Sequence, residues 1–122
     1  TKVAGSSAYF MGSVIAYDNA VKQNLLDVSS SDLEKYGAVS EEVVKQMAEG
    51  VRKKLNTDVG ISTSGIAGPG GGTEEKPVGT IWFGYSDGKK TIARKMNFTK
   101  NRELNIKFAT VFALNIFRMN FE

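Results

Sequence analysis

Residues 64–80, with the sequence Ser-Gly-Ile-Ala-Gly-Pro-Gly-Gly-Gly-Thr-Glu-Glu-Lys-Pro-Val-Gly-Thr, are the stretch that decides the fold. They hold six of the chain's 13 glycines and both of its prolines. Ordering such a segment is costly, because glycine loses more backbone freedom on folding than any other residue. Residues 58–64 and 78–86 flank it, and both have the alternating pattern of a β-strand. The segment is therefore either a ligand-binding loop or a long flexible connection between two strands.

Two common phosphate-binding motifs do not fit this loop. A Walker loop needs Gly-Lys-Ser/Thr at the start of a helix, whereas Gly72 is followed by Thr73 and two glutamates. The dinucleotide fingerprint Gly-x-Gly-x-x-Gly fails when it starts at Gly68. Thr73 then holds its last position, and a strand rather than a helix follows.

The composition restricts the chemistry further. A chain of 122 residues with 41% hydrophobic content has the size of one domain with one core. It contains no cysteine and no histidine, which excludes disulfides, a Ser-His-Asp triad and a metal site built on those ligands. A general base would have to be a lysine, a tyrosine or a carboxylate. No metal or cofactor is expected.

The charge and hydropathy patterns argue against two classes of partner. The formal net charge is only +3, and the lysines are scattered rather than interleaved with aromatic residues, so nucleic-acid binding is not expected. No apolar run approaches about 18 residues and no signal peptide is evident, so we expect a cytoplasmic protein without a membrane span. Because the first residue is Thr1 rather than Met, we expect the N-terminus to be processed or truncated.

The elements alternate between helix and strand. Asp18 or Asn19 caps a short predicted helix that ends near Leu26, and a clearer helix starts at Ser40 with two glutamates in its first turn. Residues 11–17 predict a strand buried on both faces. Residues 91–98 predict another strand, joined to residues 78–86 through a type I′ turn at Asp87-Gly88.

The last predicted helix, residues 102–119, is apolar on more than one side, which is typical of a core helix or a subunit interface. The fold class that follows is α/β: a single domain, residues 1–122, in three α/β/α layers around a mixed β-sheet. The last helix and the expected strand at residues 11–17 both have apolar surface that a second chain would cover. We therefore expect a homodimer or a larger homo-oligomer.

Lys22 is the first candidate for a catalytic residue. It lies about one turn into the helix that starts near Asp18, where the helix dipole disfavours an ammonium by roughly 0.3–1 kcal/mol. Lowering a lysine pKa from about 10.4 to about 7 requires roughly 4–5 kcal/mol, so burial would have to supply most of it. From the residues alone, a solvated lysine is favoured over a buried base.

Several segments together resemble the CinA C-terminal domain family. They are Ser64-Gly-Ile-Ala-Gly-Pro69, Gly71-Gly-Thr73 and Glu75-Lys-Pro-Val-Gly-Thr80, with Gly5-Ser-Ser-Ala-Tyr-Phe10, Tyr17-Asp-Asn-Ala-Val-Lys22 and Gly37-Ala-Val-Ser-Glu41 upstream. The resemblance covers nearly the whole chain. It implies an amidase that deamidates nicotinamide mononucleotide through a serine–lysine dyad, without a cofactor and with a small nucleotide as substrate.

The resemblance also implies site residues. Lys22 would be the catalytic base, with Tyr17 in the same site. The loop residues Ser64, Gly65, Ala67 and Gly68 would line the substrate pocket, and Arg102 would bind phosphate ahead of the last helix. Further arginines, which are common in the family just downstream, are replaced here by Ile106 and Lys107.

The family's nucleophile lies in a Glu-Ser-x-Thr-Gly-Gly motif that does not occur in these 122 residues. We therefore expect the sequence as given to lack its first strand and most of its first helix, and to have no amidase activity by itself. The alternative to an amidase is a non-catalytic ligand-binding or interaction module.

Overall fold

The centre of the molecule is a three-stranded antiparallel sheet, seen in a computed structural model that describes residues 1–121. The strand order follows the chain, and Gly60 pairs with Ser86 at one end of the first strand pair. The glycine-rich loop connects the first two strands at the opposite end. The strands are β1 (Gly60–Gly65), β2 (Thr80–Ser86) and β3 (Thr91–Asn97).

Helices cover both faces of this sheet, so the α/β class and the three layers are confirmed. Three helices lie on one face, where their buried side chains form one apolar cluster that includes Leu26, Val43 and Met47. The last helix packs on the other face against Phe83 and Tyr85 of β2. The helices are α1 (Asn19–Leu26), α2 (Ser30–Tyr36), α3 (Glu41–Lys54) and α4 (Arg102–Asn120), and a short 3₁₀ turn precedes them at Ser6–Ala8.

The helix starts follow from capping side chains. Asp18 accepts a hydrogen bond from the Ala20 backbone N–H at 2.7 Å and caps α1. Ser40 accepts from Val43 N–H and caps α3. Each cap satisfies a backbone donor that has no partner within its helix. These boundaries confirm the predicted helices.

Helix α3 approaches the sheet closely because of a glycine in β2. A Cβ atom added at Gly84 would collide with the Val44 carbonyl oxygen of α3 and with the Ser62 hydroxyl. Ser62 itself donates a hydrogen bond of 2.6 Å to the same Val44 carbonyl. Val44 is completely buried at this contact. Because Gly84 has no side chain, α3 can approach β2 this closely.

Residues 11–17 differ from the prediction of a strand buried on both faces. They are extended, but within residues 1–121 they form no backbone–backbone hydrogen bond and belong to no sheet. Val14 and Ala16 pack on the apolar cluster below α3, whereas Ile15 is 85% exposed and Tyr17 is 88% exposed. Only one face is buried, and the sheet described here is antiparallel rather than mixed.

Two further features differ in detail from the prediction. The β2–β3 hairpin is present, but only Gly88 has a positive φ, whereas a type I′ turn needs two such residues. The Asp87 carboxylate instead accepts hydrogen bonds from the N–H groups of Lys89 and Lys90 and sets the turn. Helix α4 buries one face on the sheet and leaves much apolar surface exposed, including Leu104, Ile106, Phe108, Val111, Leu114 and Met119.

We predict that Gly84→Ala destabilises the protein by about 1–3 kcal/mol, the usual cost of forcing a methyl group into a packed contact. The added Cβ would push α3 away from the sheet. Gly70→Ala is the matched control, because a Cβ at Gly70 meets nothing within 4 Å. Urea denaturation of the two variants measures the difference, and equal stability would show that α3 does not depend on Gly84.

Candidate active site

Lys22 is a buried lysine whose amine is held by two backbone carbonyls. Its side chain is only 5% exposed, although it belongs to the short first helix. The Nζ atom donates to the carbonyl oxygens of Ala16 at 2.7 Å and Tyr17 at 3.3 Å. The extended chain before α1 therefore folds back over the helix and supplies both acceptors.

Burial lowers the pKa of Lys22, and the nearby Asp18 carboxylate opposes that shift by favouring the ammonium. A neutral amine has two N–H donors and one lone pair. The two carbonyls can take up both donors, which leaves the lone pair as an acceptor for a proton. This arrangement suits a general base and favours the buried base over the solvated lysine.

Tyr17 lies beside Lys22 through its backbone rather than its hydroxyl. Its carbonyl accepts from Lys22 Nζ, while its ring is 88% exposed to solvent. The structure thus brings Tyr17 and Lys22 together, but it places the phenol on the surface.

The glycine-rich loop forms a second group of predicted site residues. The Ala67 carbonyl accepts a hydrogen bond of 2.9 Å from the Asn105 amide, and the Gly68 carbonyl accepts one of 2.8 Å from the Arg102 guanidinium. Both donors belong to the first turn of α4, so that turn fixes the loop where it leaves β1. Gly68 is buried and has φ of 92°, a conformation that favours glycine.

Asn105 is the residue that the sequence analysis missed. Its side chain is completely buried and satisfies four backbone and side-chain groups. The Oδ1 atom accepts from the N–H and the hydroxyl of Thr99, each at 2.8 Å, and Nδ2 donates to the carbonyls of Ala67 and Thr99, each at 2.9 Å. The available signal was weak, because α4 also carries Asn115 and Asn120 and the sequence does not show which amide is buried and therefore needs partners.

A cleft of about 240 Å³ opens between the end of β1 and α4. Ser64, Gly65 and Ala67 line it from the loop side, and Ile106 and Thr110 line it from the helix. Three predicted substrate-binding residues therefore share one cleft.

No hydrogen bond or ion pair joins the Lys22 group to the loop group within residues 1–121. The glycine-rich loop instead reaches α2, where Lys76 Nζ donates to the Tyr36 carbonyl at 2.6 Å. Lys22 Nζ has two carbonyls as its recorded hydrogen-bond partners, and no hydroxyl group within residues 1–121 is recorded as bonded to it. The described part of the chain supplies a candidate base but no nucleophile positioned against it.

Neither a metal-binding cluster nor a membrane-spanning helix is found within residues 1–121. Residues 1–121 contain no group of three or more acidic side chains arranged to hold a metal ion. None of the helices described is both long enough and apolar enough to cross a membrane.

The family model of the CinA C-terminal domain matches residues 1–121. The chain belongs to this family. It is 55% identical over 118 residues to a CinA-like protein of Cytophaga hutchinsonii, covering 97% of this chain and 28% of that protein. It is 52% identical over 116 residues to the nicotinamide-nucleotide amidohydrolase PncC of Enterobacter agglomerans, covering 93% of this chain and 70% of the relative.

Solved structures of the CinA family share the fold. The competence/damage-inducible protein CihA of Agrobacterium tumefaciens superposes with a TM-score of 0.94 at 30% identity, over 97% of this chain and 73% of that one. Competence damage-inducible protein A of Klebsiella pneumoniae gives 0.92 at 30% identity, over 98% and 74%. The chain spans less than a third of the Cytophaga relative's length and about three quarters of these two solved chains.

We predict that Asn105→Ala lowers the free energy of unfolding by about 2–4 kcal/mol, because it leaves buried groups on Thr99 and Ala67 without partners. Asn24→Ala, on the exposed side of α1, is the control and should change stability by less than about 0.5 kcal/mol. Hydrogen exchange of the loop amides gives a second measurement. Loop exchange that stays at the wild-type rate would contradict the role of Asn105.

A second prediction concerns Lys22 and pH. Its pKa is lower in the folded protein than in the unfolded chain, so unfolding takes up a proton between those two values. The unfolding free energy of the wild type, relative to Lys22→Met, should therefore rise with pH from the folded-state pKa and level off above the unfolded value of 10.5. Urea titrations of both proteins across this range measure the difference. A difference that is flat or falls with pH would mean that the pKa of Lys22 is not depressed.

Proposed function

We propose that the protein is an amidase that hydrolyses the carboxamide of nicotinamide mononucleotide to nicotinate mononucleotide and ammonia. The observation that carries this proposal is the buried Lys22 amine, which donates to two carbonyls and whose pKa is lowered by burial. The similarity to PncC of Enterobacter agglomerans, a nicotinamide-nucleotide amidohydrolase by name, supports the substrate class.

The proposed reaction proceeds through an acyl-enzyme. A serine hydroxyl attacks the carboxamide carbon while Lys22 Nζ accepts its proton, and the tetrahedral intermediate collapses when that proton passes to the leaving nitrogen as ammonia departs. Water then attacks the ester, again with Lys22 as the base, and the serine leaves with the proton. The serine is assigned to a Glu-Ser-x-Thr-Gly-Gly segment, which these 122 residues do not contain.

The glycine-rich loop is assigned two tasks. Its backbone N–H groups around Gly65 stabilise the oxyanion of the tetrahedral intermediate, a role for which closely approaching backbone is suited. Its residues Ser64, Ala67 and Gly68 contact the substrate. The hydrogen bonds from α4 to the carbonyls of Ala67 and Gly68 support this assignment, because they fix the loop backbone before the substrate arrives.

Arg102 is assigned to the substrate phosphate. It is the first residue of α4, and its guanidinium uses Nη1 to hold the Gly68 carbonyl, which leaves its other N–H groups available. A phosphate there gains the guanidinium together with the positive end of the helix dipole. Tyr17 is assigned to the substrate pocket near Lys22, and its exposed ring supports a contact with the bound nucleotide.

A homo-oligomer is also proposed. The exposed apolar side chains of α4, such as Phe108, Val111 and Leu114, support it, because soluble monomers rarely leave a contiguous surface of this kind uncovered.

The test is an ammonia-release assay with nicotinamide mononucleotide and the protein's full natural chain. Lys22→Arg keeps the charge but cannot act as a base, and Lys22→Met keeps the length without any base. Both should lower kcat by at least about 100-fold, the usual scale of a lost general base. Arg102→Ala should act mainly on KM, since a phosphate contact is the same in the ground state and the transition state.

Two results would contradict this function. Near-normal kcat in Lys22→Arg would reduce the lysine to an electrostatic anchor and exclude the serine–lysine mechanism. Absence of ammonia release by the full wild-type chain, together with saturable binding of the nucleotide, would instead identify a non-catalytic ligand-binding module.

A further inference from the structure

A second cleft, of about 400 Å³, lies at the end of the sheet away from the glycine-rich loop. It opens where the last turns of α3 face the β2–β3 hairpin, and its walls are mainly polar. Its volume falls within the range of roughly 300–1,000 Å³ that is usual for ligand sites. Glu49, Arg52 and Lys53 line it from α3, and Lys89, Lys90 and Thr91 line it from the hairpin.

The charge in this cleft is strongly unbalanced. Four cations line it against one carboxylate, that of Glu49. None of the four forms an ion pair within residues 1–121, where the ion pair recorded is between Lys45 and Glu41. Glu49 and the nearby Asp87 offset this charge only in part, so the cations repel each other, and an anion would relieve that repulsion.

The neighbouring Asp87 carboxylate interacts electrostatically with Lys90 and offsets part of the positive charge, but within residues 1–121 it forms no ion pair with a lysine. Backbone hydrogen bonds from Lys90 and Lys89, with one from the Tyr85 hydroxyl, hold it within its own turn. The backbone bond from Lys90 is the main cause of the lowered pKa of Asp87, and the charge of Lys90 adds to it. The ammonium groups of Lys89 and Lys90 are left to solvent or to a ligand.

Arg52 is the positioned residue of the cleft. Its Nε donates to the Ser86 hydroxyl at 3.2 Å, and Ser86 is completely buried. The Ser86 hydroxyl is bonded in turn to Thr91 at 3.1 Å, and Thr91 donates to Glu49 at 2.9 Å. This chain orients the guanidinium by its inner edge and leaves both Nη groups without a hydrogen-bond partner among the described residues.

The hairpin backbone supports the same guanidinium from below. A Cβ added at Gly88 would lie 3.4 Å from Arg52 Nη1 and 3.7 Å from Cζ, so the guanidinium lies over the glycine of the turn. A guanidinium that is held in one orientation with both Nη groups open matches the geometry of phosphate oxygens. The lysines around it add positive charge without a fixed geometry.

We propose that this cleft binds a small molecule with two or more linked phosphoryl groups. A monoanionic carboxylate would leave most of the positive charge uncompensated, whereas a diphosphate carries enough charge to balance the cations. The cleft is separate from the candidate active site. β1 starts beside Arg52 and ends at the glycine-rich loop, and its six residues span about 20 Å.

Equilibrium binding of inorganic pyrophosphate to the full natural chain tests this site, by calorimetry and with sulfate at equal ionic strength as the reference anion. We expect saturable pyrophosphate binding that Arg52→Gln weakens by at least about tenfold, through loss of a bidentate charge-assisted contact. Arg94→Gln is the matched control, because Arg94 is exposed on β3 and bonds only to the neighbouring Ala93 carbonyl. It should change the affinity by less than about twofold.

A double variant, Lys89→Gln with Lys90→Gln, tests the hairpin side without touching the buried Ser86, and it should also weaken binding. If Arg52→Gln fails to fold, this double variant tests the proposed site in its place. Arg102→Ala should leave the Arg52-dependent part of the pyrophosphate binding unchanged, which separates this cleft from the proposed substrate site.

The proposal is overturned if pyrophosphate binds no better than sulfate, or if Arg52→Gln and Arg94→Gln weaken binding equally. Loss of binding in Arg102→Ala alone would assign the pyrophosphate to the candidate active site instead. Tighter, Arg52-dependent binding of a short single-stranded oligonucleotide would replace the small-molecule ligand with a nucleic acid.

Discussion

The buried amide of Asn105 satisfies a backbone N–H, a hydroxyl and two carbonyls in one place, and the glycine-rich loop depends on it. A loop with this much glycine has many conformations to lose, so it stays ordered only where tertiary contacts outweigh that entropy. Asn105 supplies those contacts from a helix that is itself anchored in the core through Ala113 and Ile116. With Arg102 on the Gly68 carbonyl, it holds a costly segment in one conformation.

The elements that could be predicted are those whose signals are local in the sequence. Asp18 and Ser40 cap their helices as expected, because a capping side chain bonds to a backbone group only two or three residues away. The strands at the flanks of the loop were also predictable, since alternation is visible within a few residues. The family and the α/β fold class followed from segments spread along the chain, and the match over residues 1–121 confirms them.

What could not be predicted depends on residues distant in sequence. The contact of Asn105 with Ala67 joins positions 38 residues apart, and the bond of Arg52 to Ser86 joins positions 34 residues apart. Residues 11–17 look like a buried strand because they are apolar, but the pattern does not say whether a partner strand lies beside them. The position of Lys22 in a helix was predictable from its neighbours in the chain. Its burial, which favours a base over a solvated lysine, is visible only in the folded protein.

The unpaired residues 11–17 have a consequence for the physical behaviour of the chain. They form an extended run without a charged residue or a proline, and within residues 1–121 their backbone groups pair with no other strand, although the carbonyls of Ala16 and Tyr17 accept hydrogen bonds from Lys22 Nζ. Natural proteins usually protect such an edge, because two copies can pair through it as β-strands and form cross-β aggregates. Here the edge is present in the native state, so self-association does not have to wait for unfolding. The solubility of the folded chain therefore depends in part on how well these seven residues are covered.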